Sequence, residues 1–354
     1  MPRDYAAFTT LVTTKLQSAG TVDFTVAEVD YQIEECLKEF ADFSPHIIPV
    51  IFKIESRYGE ATATSASSLV DTRAAGKGQF LAADATDEKV VHNTTDNTWA
   101  VVLSQANTSS IGLSRDIFTI NEAYRIYNKR CWNKKQIFIG DVVSFPEIES
   151  VEYPIGQKRN WKLLGDVLEI DVDVVDDSDS TQAALPDVDI LVRFKRPHVL
   201  SQLTDWVGVL AASAAVAATA ISLSSLQSAG TIEEGEEFYL ENQKTLYVVS
   251  ASATIASSTA VISIYPGLEA AASSTWAITF RKSSLEPKQE EIFADLVAAR
   301  LAINKAPKYF NAIPLGGGVV WQNFLSWGER RLAEVLGKLR RENPPQTKRR
   351  WPTA

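Results

Sequence analysis

The stretch TVAEVDYQIEECLKEFADFSP, residues 25–45, decides how the rest of the chain is read. Thr25-Val26-Ala27-Glu28 has the form of a capping box, in which the Thr hydroxyl and the Glu carboxylate satisfy amide donors left open at a helix start. Val29, Ile33, Leu37 and Phe40 then recur at helical spacing, and Ser44-Pro45 ends the run. Upstream, Phe8, Leu11, Val12 and Leu16 predict a helix over 4–18 that stops near Gly20. Far downstream the helical period returns. Glu286-Pro287 places proline at a first helical position, and Ile292, Phe293, Leu296, Val297 and Leu301 carry that helix to about Asn304. Trp321, Phe324, Leu325, Leu332, Val335, Leu336 and Leu339 mark a last amphipathic helix over 319–341, which Asn343-Pro344-Pro345 stops.

Between the two helical ends the period is two. Ile47–Tyr58 predicts one long strand, and 98–103 and 137–143 predict others. Ala61–Ala85, rich in Ala, Ser, Thr and Gly, predicts an extended loop or arm. Ile120–Asn128 predicts a short helix capped by Thr119 or Asn121. Leu168, Ile170, Val172 and Val174 alternate with Glu169, Asp171 and Asp173, which gives one apolar and one acidic face, and Val188–Arg196 is read as the partner strand. Residues 212–281 are rich in Ala, Ser and Thr. Short strands at 219–224, 237–241, 245–251, 260–265 and 276–281 predict a small β-sandwich or barrel.

The fold class expected is therefore α+β. A helical bundle is made from the N- and C-terminal segments, with an inserted β-rich body and a small β-sandwich or barrel domain. The divisions are 1–46 for the first helices, 47–211 for the β-rich body, 212–282 for the inserted domain, 283–342 for the closing helices and 343–354 for an extended tail. Apolar residues on these helices, among them Ile33, Leu37, Phe40, Phe293, Leu296, Trp321, Phe324, Leu325 and Leu336, are expected to supply the bundle core and subunit contacts. LQSAGT occurs at Leu16–Thr21 and Leu226–Thr231, but its flanks differ, so it is not a structural repeat.

Composition narrows the function. The 354 residues are 45% hydrophobic and 22% charged, as in ordinary globular proteins, so disorder is expected only at the ends. Val207–Ile221 is the nearest approach to a membrane span, and it is short and interrupted by Ser and Thr. No membrane role and no export signal are expected. Cys36 and Cys131 are read as reduced, buried thiols. From Lys338 to the end there are six basic residues and one acidic residue, Glu342, which puts +5 on the tail and leaves −14 on the rest of a chain of net charge −9. An acidic body argues against wrapping nucleic acid over a broad surface.

Signs of catalysis are few. His46, His92 and His198 are the only histidines, and none has metal-ligand spacing to another His or a Cys. There is no nucleophile elbow and no phosphate-binding loop, and Gly76-Lys77-Gly78 and Gly316-Gly317-Gly318 are read as flexible loops. No catalytic residue, metal or cofactor is expected. The acidic run Asp171, Asp173, Asp176, Asp177 and Asp179 lacks the glycine and distal glutamate of a calcium loop. It is read as a solvated face, with two alternatives: the wall of a channel, in which Glu169, Asp171 and Asp173 would repel passing phosphates, and a calcium site. Glu233, Glu234, Glu236 and Glu237 are read as a solvated turn. Trp206, Trp276, Trp321, Trp327 and Trp351 are read as packing or interface anchors in preference to sugar platforms. Lys348-Arg349-Arg350-Trp351 joins three cations to one large aromatic beyond a Pro-Pro spacer, a composition suited to docking in a neighbour's groove.

This layout resembles the head–tail adaptor (connector) proteins of long-tailed bacteriophages. Val26–Phe40 with Pro45 and a following strand looks like their early helix. Leu191-Val192-Arg193-Phe194-Lys195-Arg196-Pro197-His198, with Leu285–Asn304 and Trp321–Leu339, looks like their returning strand and closing helices. Residues 219–280 are similar to Ala/Ser/Thr-rich β modules of phage structural proteins, notably Thr231-Ile232, Gly235, Phe238, Lys244–Val249 and Pro266-Gly267-Leu268. The resemblance implies a virion structural protein, assembled in the host cytoplasm, that closes head to tail into a ring, commonly of twelve copies. The ring sits under the portal, receives the next neck or tail protein on its other face, and lets DNA pass without sequence recognition. By that analogy Lys348, Arg349, Arg350 and Trp351 dock on the portal. The alternatives are another tail, baseplate or capsid-associated structural protein, and a particle-borne carbohydrate-binding module or hydrolase.

Overall fold

The computed structural model describes residues 3–17, 24–54, 56–74, 80–140, 142, 147–173, 188–216, 218–310 and 320–342. It is an α+β protein in two compact units. One unit draws on Met1–Ile48 and Lys195–Thr347, the other on Pro49–Phe194. None of the described helices is long and apolar enough to cross a membrane.

In chain order the first unit opens with α1 (Tyr5–Lys15) and α2 (Val26–Ala41). The Asp4 carboxylate caps α1 by accepting from the Ala7 amide at 2.8 Å. At α2 the capping box read from the sequence is present: the Glu28 amide donates to Thr25 Oγ1 at 3.2 Å, and the Thr25 amide donates to Glu28 Oε2 at 2.8 Å. The Thr25 amide and the Lys305 ammonium hold the Glu28 carboxyl down to about 2.

The second unit is built from two six-stranded sheets, the first residues of one strand and the last of another lying in the first unit. Its strands are β1 (His46–Ile54), β2 (Ser56–Glu60), β3 (Ser68–Val70), β4 (Val90–Asn93), β5 (Thr98–Asn107), β6 (Ser110–Leu113), β7 (Ala123–Tyr127), β8 (Gln136–Phe138), β9 (Glu147–Glu152), β10 (Lys158–Leu164), β11 (Val167–Asp171) and β12 (Val188–Arg196). A 3-10 turn, Thr72–Ala74, and a short helix, α3 (Ala82–Thr86), lie between β3 and β4. One sheet runs β1-β12-β9-β10-β11-β8 and the other β2-β7-β4-β5-β6-β3. Each has its own apolar core, the first around Ile137, Ile139, Leu168, Ile190 and Phe194, the second around Leu69, Phe80, Val91, Ile111 and Tyr124.

Four expectations for this region are corrected. Ile47–Tyr58 is not one strand: β1 and β2 belong to different sheets. Ala61–Ala85 is not simply a loop, since β3, the 3-10 turn and α3 fall within it. Ile120–Asn128 is not helical. Asn121 takes φ +68°, and β7 follows it, bonded to β2 on one edge and β4 on the other. Tyr124 and Ile126 point to the core while Ala123 and Arg125 do not, which is the strand period. Finally, β11 pairs with β10 and β8, whereas β12 lies between β1 and β9.

The chain then returns to the first unit. β13 (Val207–Leu210), β14 (Ala220–Ser224), β15 (Ala229–Ile232), β16 (Glu237–Leu240), β17 (Leu246–Ala251), β18 (Ala253–Ala256), β19 (Ala260–Tyr265) and β20 (Ala277–Phe280) follow. Six of these close a barrel in the order β13-β14-β19-β17-β16-β20, and β15 and β18 form a separate two-stranded antiparallel sheet. Alternate residues such as Ile221, Leu223, Phe238, Leu240, Ile262, Ile264 and Ile278 fill the interior, while Val261 faces outward. Closure removes the free edges that short strands would otherwise expose.

Two long helices end the described chain, α4 (Pro287–Phe310) and α5 (Val320–Glu342). α4 passes the expected stop near Asn304 and includes Pro307. Buried side chains of α1, α2, α4 and α5 belong to a single apolar cluster that includes Phe8, Val12, Ile33, Phe40, Phe293, Leu296, Val335 and Leu339. Phe293 lies 5.0 Å from Phe8 and 5.4 Å from Phe40, centroid to centroid. At Gly328 an added Cβ would lie 2.7 Å from Ile303 and 2.9 Å from the Ala299 carbonyl, so only glycine permits so close an approach of α5 to α4.

Candidate functional site

The residues singled out by sequence fall in several places. Lys348, Arg349, Arg350 and Trp351 lie outside the described residues, as do Asp176, Asp177, Asp179 and Gly316–Gly318. On β11 and just beyond it, Leu168, Ile170 and Val172 are buried, while Asp171 and Asp173 are exposed and Glu169 is half-buried. Glu169 Oε2 accepts from Gln136 Nε2 at 2.7 Å and from Asn133 Nδ2 at 3.4 Å. Among the described residues, no group of three or more His, Cys, Asp and Glu side chains is placed to hold a metal ion.

Of the helix residues, Ile33, Phe40, Phe293 and Leu296 are fully buried, and Leu37 and Phe324 pack against their cluster. Trp321, Leu325 and Leu336 are half-buried. Trp327 packs against the same cluster, and Trp206 and Trp276 pack against the barrel core. The Lys282 ammonium sits 3.5 Å from the centre of the Trp206 ring. Both cysteines are free and buried, and burial pushes each thiol up to about 12, which makes them poor nucleophiles. Ionic links also join helices far apart in sequence. Lys15 Nζ and Arg331 Nη2 share Asp295 at 2.7 and 2.9 Å, Arg300 pairs with Glu39, and Lys305 lies 3.0 Å from Glu28.

The first arrangement that sequence reading missed is a buried polar nest in the first unit. Glu236 and Glu237 are not part of a solvated turn: they are 2% and 6% exposed. They stand at the entry to β16, next to Phe238 of the barrel core, and are covered by residues distant in sequence. Glu237 pairs with Arg281, and Glu234 pairs with Arg196. The His46 and His198 rings lie 5.5 Å apart although the residues are far apart in sequence. His198 Nε2 donates to the Ser44 carbonyl at 3.0 Å, which leaves Nδ1 to accept from the Ser284 hydroxyl at 3.0 Å. His46 Nε2 lies 3.1 Å from Glu237 Oε1, but without the alignment of a hydrogen bond.

Burial sets the charge states here. It lowers His46 to about 3, helped by His198, Arg196 and Arg281, and lowers His198 to about 4 against the opposing pull of the Ser44 carbonyl. Burial also pushes Glu236 up to about 7, opposed by Ser201 and the Glu233 backbone, and raises Glu237 against the pull of Arg281. Glu236 has a proton affinity suited to acid–base work. Yet the side chains of His46, His198, Glu236 and Glu237 are all buried, so the nest joins elements and presents no face to a substrate.

The second missed arrangement lies in the second unit, with Arg130 and Trp132 exposed and Arg125, Lys129, Lys134 and Lys135 half-buried. Residues 125–135, RIYNKRCWNKK, hold Arg125, Lys129, Arg130, Lys134 and Lys135 and no acidic residue. Trp132 is 52% exposed, with its ring 5.3 Å from Trp99 and at 72° to it. His92 stacks flat on Trp99 at 3.7 Å, and Tyr127 lies 6.0 Å from Trp99. Lys129 and Arg130 sit 5.0 and 5.4 Å from the centre of the Phe138 ring, and Arg125 sits 5.2 Å from that of Tyr58. The signal was legible in the sequence as a run of cations around one tryptophan, but the whole-chain charge of −9 concealed it. Compared with models of protein families, with curated proteins and with solved structures, the chain finds no match.

Proposed function

We propose that this protein is a structural subunit of a bacteriophage particle, a head–tail adaptor that forms a ring under the portal. The observation that carries the reading is the single apolar cluster shared by helices from both ends of the chain, with Phe8 and Phe40 against Phe293. In this reading α1, α2, α4 and α5 act as a four-helix bundle that forms the ring wall. The β sheets and the barrel are excursions from that bundle, free to meet neighbouring subunits or the next neck protein. Ring closure is heterologous, so one face of each copy meets a different face of the next. The burial of His46, His198 and the glutamates beside them supports a structural role for that nest over a catalytic one.

The cationic end, Lys348–Trp351, is the portal-docking segment of this proposal. The test is the mass and rotational symmetry of the purified protein, alone and mixed with the portal of the same particle, by native mass spectrometry and electron microscopy. A ring matching the portal is expected, as is loss of portal binding on truncation after Asn343 with the thermal melt unchanged. A threefold or sixfold assembly would move the protein to the tail or baseplate. A monomer indifferent to portal would end the adaptor reading.

A further inference from the structure

We propose that the outer face of β2, β7, β4 and β5 is a glycan-binding platform, on which the pyranose rings of a neutral polysaccharide stack against Trp132 and Tyr58. This surface belongs to the second unit alone, and its ligand does not depend on whether the chain closes into a ring.

The platform follows from strand register. Tyr58 of β2 stands opposite Arg125 of β7, Arg125 opposite His92 of β4, and His92 opposite Trp99 of β5. Four side chains thus form one row across four strands, about 14 Å long at the usual strand spacing. Their sequence neighbours Arg57, Tyr124, Ile126, Val91 and Ala100 are buried, so alternation turns the row to the other face of the sheet. The members brace one another before any ligand arrives. Arg125 Cζ lies 5.2 Å from the centre of the Tyr58 ring, and His92 lies flat on Trp99 at 3.7 Å with its Nε2 3.0 Å from Asn97 Oδ1. Trp132 sets its ring against Trp99 at 5.3 Å and 72°, so edge meets face and Trp99 does not cover it as a parallel ring would. The Trp132 amide donates to Gln136 Oε1 at 2.8 Å, which fixes its backbone. Tyr58, at one end of the row, is 37% exposed, and Trp132, beside the other end, is 52% exposed.

The chemistry of the row and of its surroundings selects the ligand. An aromatic ring carries a negative face, and a pyranose offers a flat face of weakly positive C–H groups, so the two stack. The sugar's hydroxyls lie at its rim, where they need polar partners. A guanidinium carries five N–H donors, so Arg125 can serve a hydroxyl as well as its neighbours in the fold. Ionic ligands fit less well, because the charges nearby are already answered. Arg130 lies 3.5 Å from Asp166, Lys129 and Lys134 are half-buried, and Glu169 is engaged by Asn133 and Gln136. Nucleic acid and acidic peptides need cations left over to neutralise them. An apolar helix would strip water from Arg125 and His92 and return no hydrogen bond. A neutral glycan needs no net field, and it supplies both a face for the rings and hydroxyls for the polar groups between them.

The test is binding of the full chain to immobilised hydroxyethyl cellulose, galactomannan and glycogen by biolayer interferometry at low and high salt, with dextran sulfate as the ionic counterpart. At least one neutral glycan should bind, with an affinity that salt leaves unchanged. Trp132→Ala should weaken that binding about tenfold, the worth of one well-stacked ring. Trp132→Phe keeps a ring and should restore most of the loss. Tyr58→Ala should weaken binding by a smaller factor, since less of that ring is open. Arg130→Gln changes a charge and no ring, and should bind as the parent does. Thermal melts matching the parent protein identify variants that fold. No binding to any of the three neutral glycans, binding indifferent to Trp132→Ala, or binding to dextran sulfate alone that salt abolishes would each overturn the proposal.

Discussion

Two buried carboxylates, Asp84 in the second unit and Glu236 in the first, meet opposite surroundings. Asp84 is fully buried, yet every demand of its charge is met. Arg57 donates to it, Lys89 Nζ lies 3.1 Å away, and the Leu81 amide donates at 2.9 Å at the start of α3. Glu236 is 2% exposed and neither of its oxygens has an aligned partner, since Arg281 is taken by Glu237 and Arg196 by Glu234. One site has cations placed against its carboxylate, and at the other burial raises the proton affinity of the carboxylate. The lesson is that burial alone does not decide what a carboxylate does: the count of cations within reach does.

Asp84 carries the larger expected effect. Asp84→Ala leaves Arg57 and Lys89 buried without their shared anion, so a loss of roughly 3–5 kcal/mol is expected in urea unfolding. A loss below about 1 kcal/mol would show that the cations find water or other partners and that the pairing described for Asp84 is not what holds that region.

Glu236 tests the other half of the contrast through pH. Its folded value, about 7, lies above the 4.5 of a free glutamate, so the folded chain keeps a proton that the unfolded chain releases. Stability from this group is full below about 4.5 and is lost as pH rises through about 7, by on the order of 3 kcal/mol. His46 and His198 work in the opposite sense. Their folded values, about 3 and about 4, lie below the ordinary 6.5, so their contribution is full above 6.5 and is lost as pH falls. Glu236→Gln should therefore match the parent near pH 4 and exceed it near pH 8. Equal pH profiles of unfolding free energy for the two proteins would mean that burial does not raise the proton affinity of Glu236.

The smallest effect expected is at a site where the charge is exposed and the geometry local. Thr25→Ala removes half of the α2 capping box and should cost about 1 kcal/mol, read as a drop in melting temperature. It calibrates the two buried sites, because a cap at a solvent-facing helix end involves little desolvation. A cost as large as that of Asp84→Ala would mean that α2 depends on its first turn more than on the apolar cluster beneath it.

What could be read from the chain itself were the features whose causes lie within a few residues. The capping box at Thr25, the proline at the start of α4, the apolar stripe of α5 and the alternation along 168–172 are each complete in a short window. So were the buried, free state of Cys36 and Cys131 and the strand-rich character of 219–281, though not whether its strands close a barrel or stack as a sandwich. Tertiary structure alone decided which strand lies beside which. The alternation of β11 names its inner face, but the backbone edges that choose β10 and β8 over β12 carry no side-chain signature. Tertiary pairing also overrode the helical look of 120–128, because β2 and β4 together offer β7 hydrogen bonds on both edges. It buried Glu236 and Glu237 for the same kind of reason: a run of glutamates looks solvated until distant residues, His46, His198 and Arg281, converge on it. Local propensity is a sum over neighbours in sequence, whereas burial and charge state are set by neighbours in space.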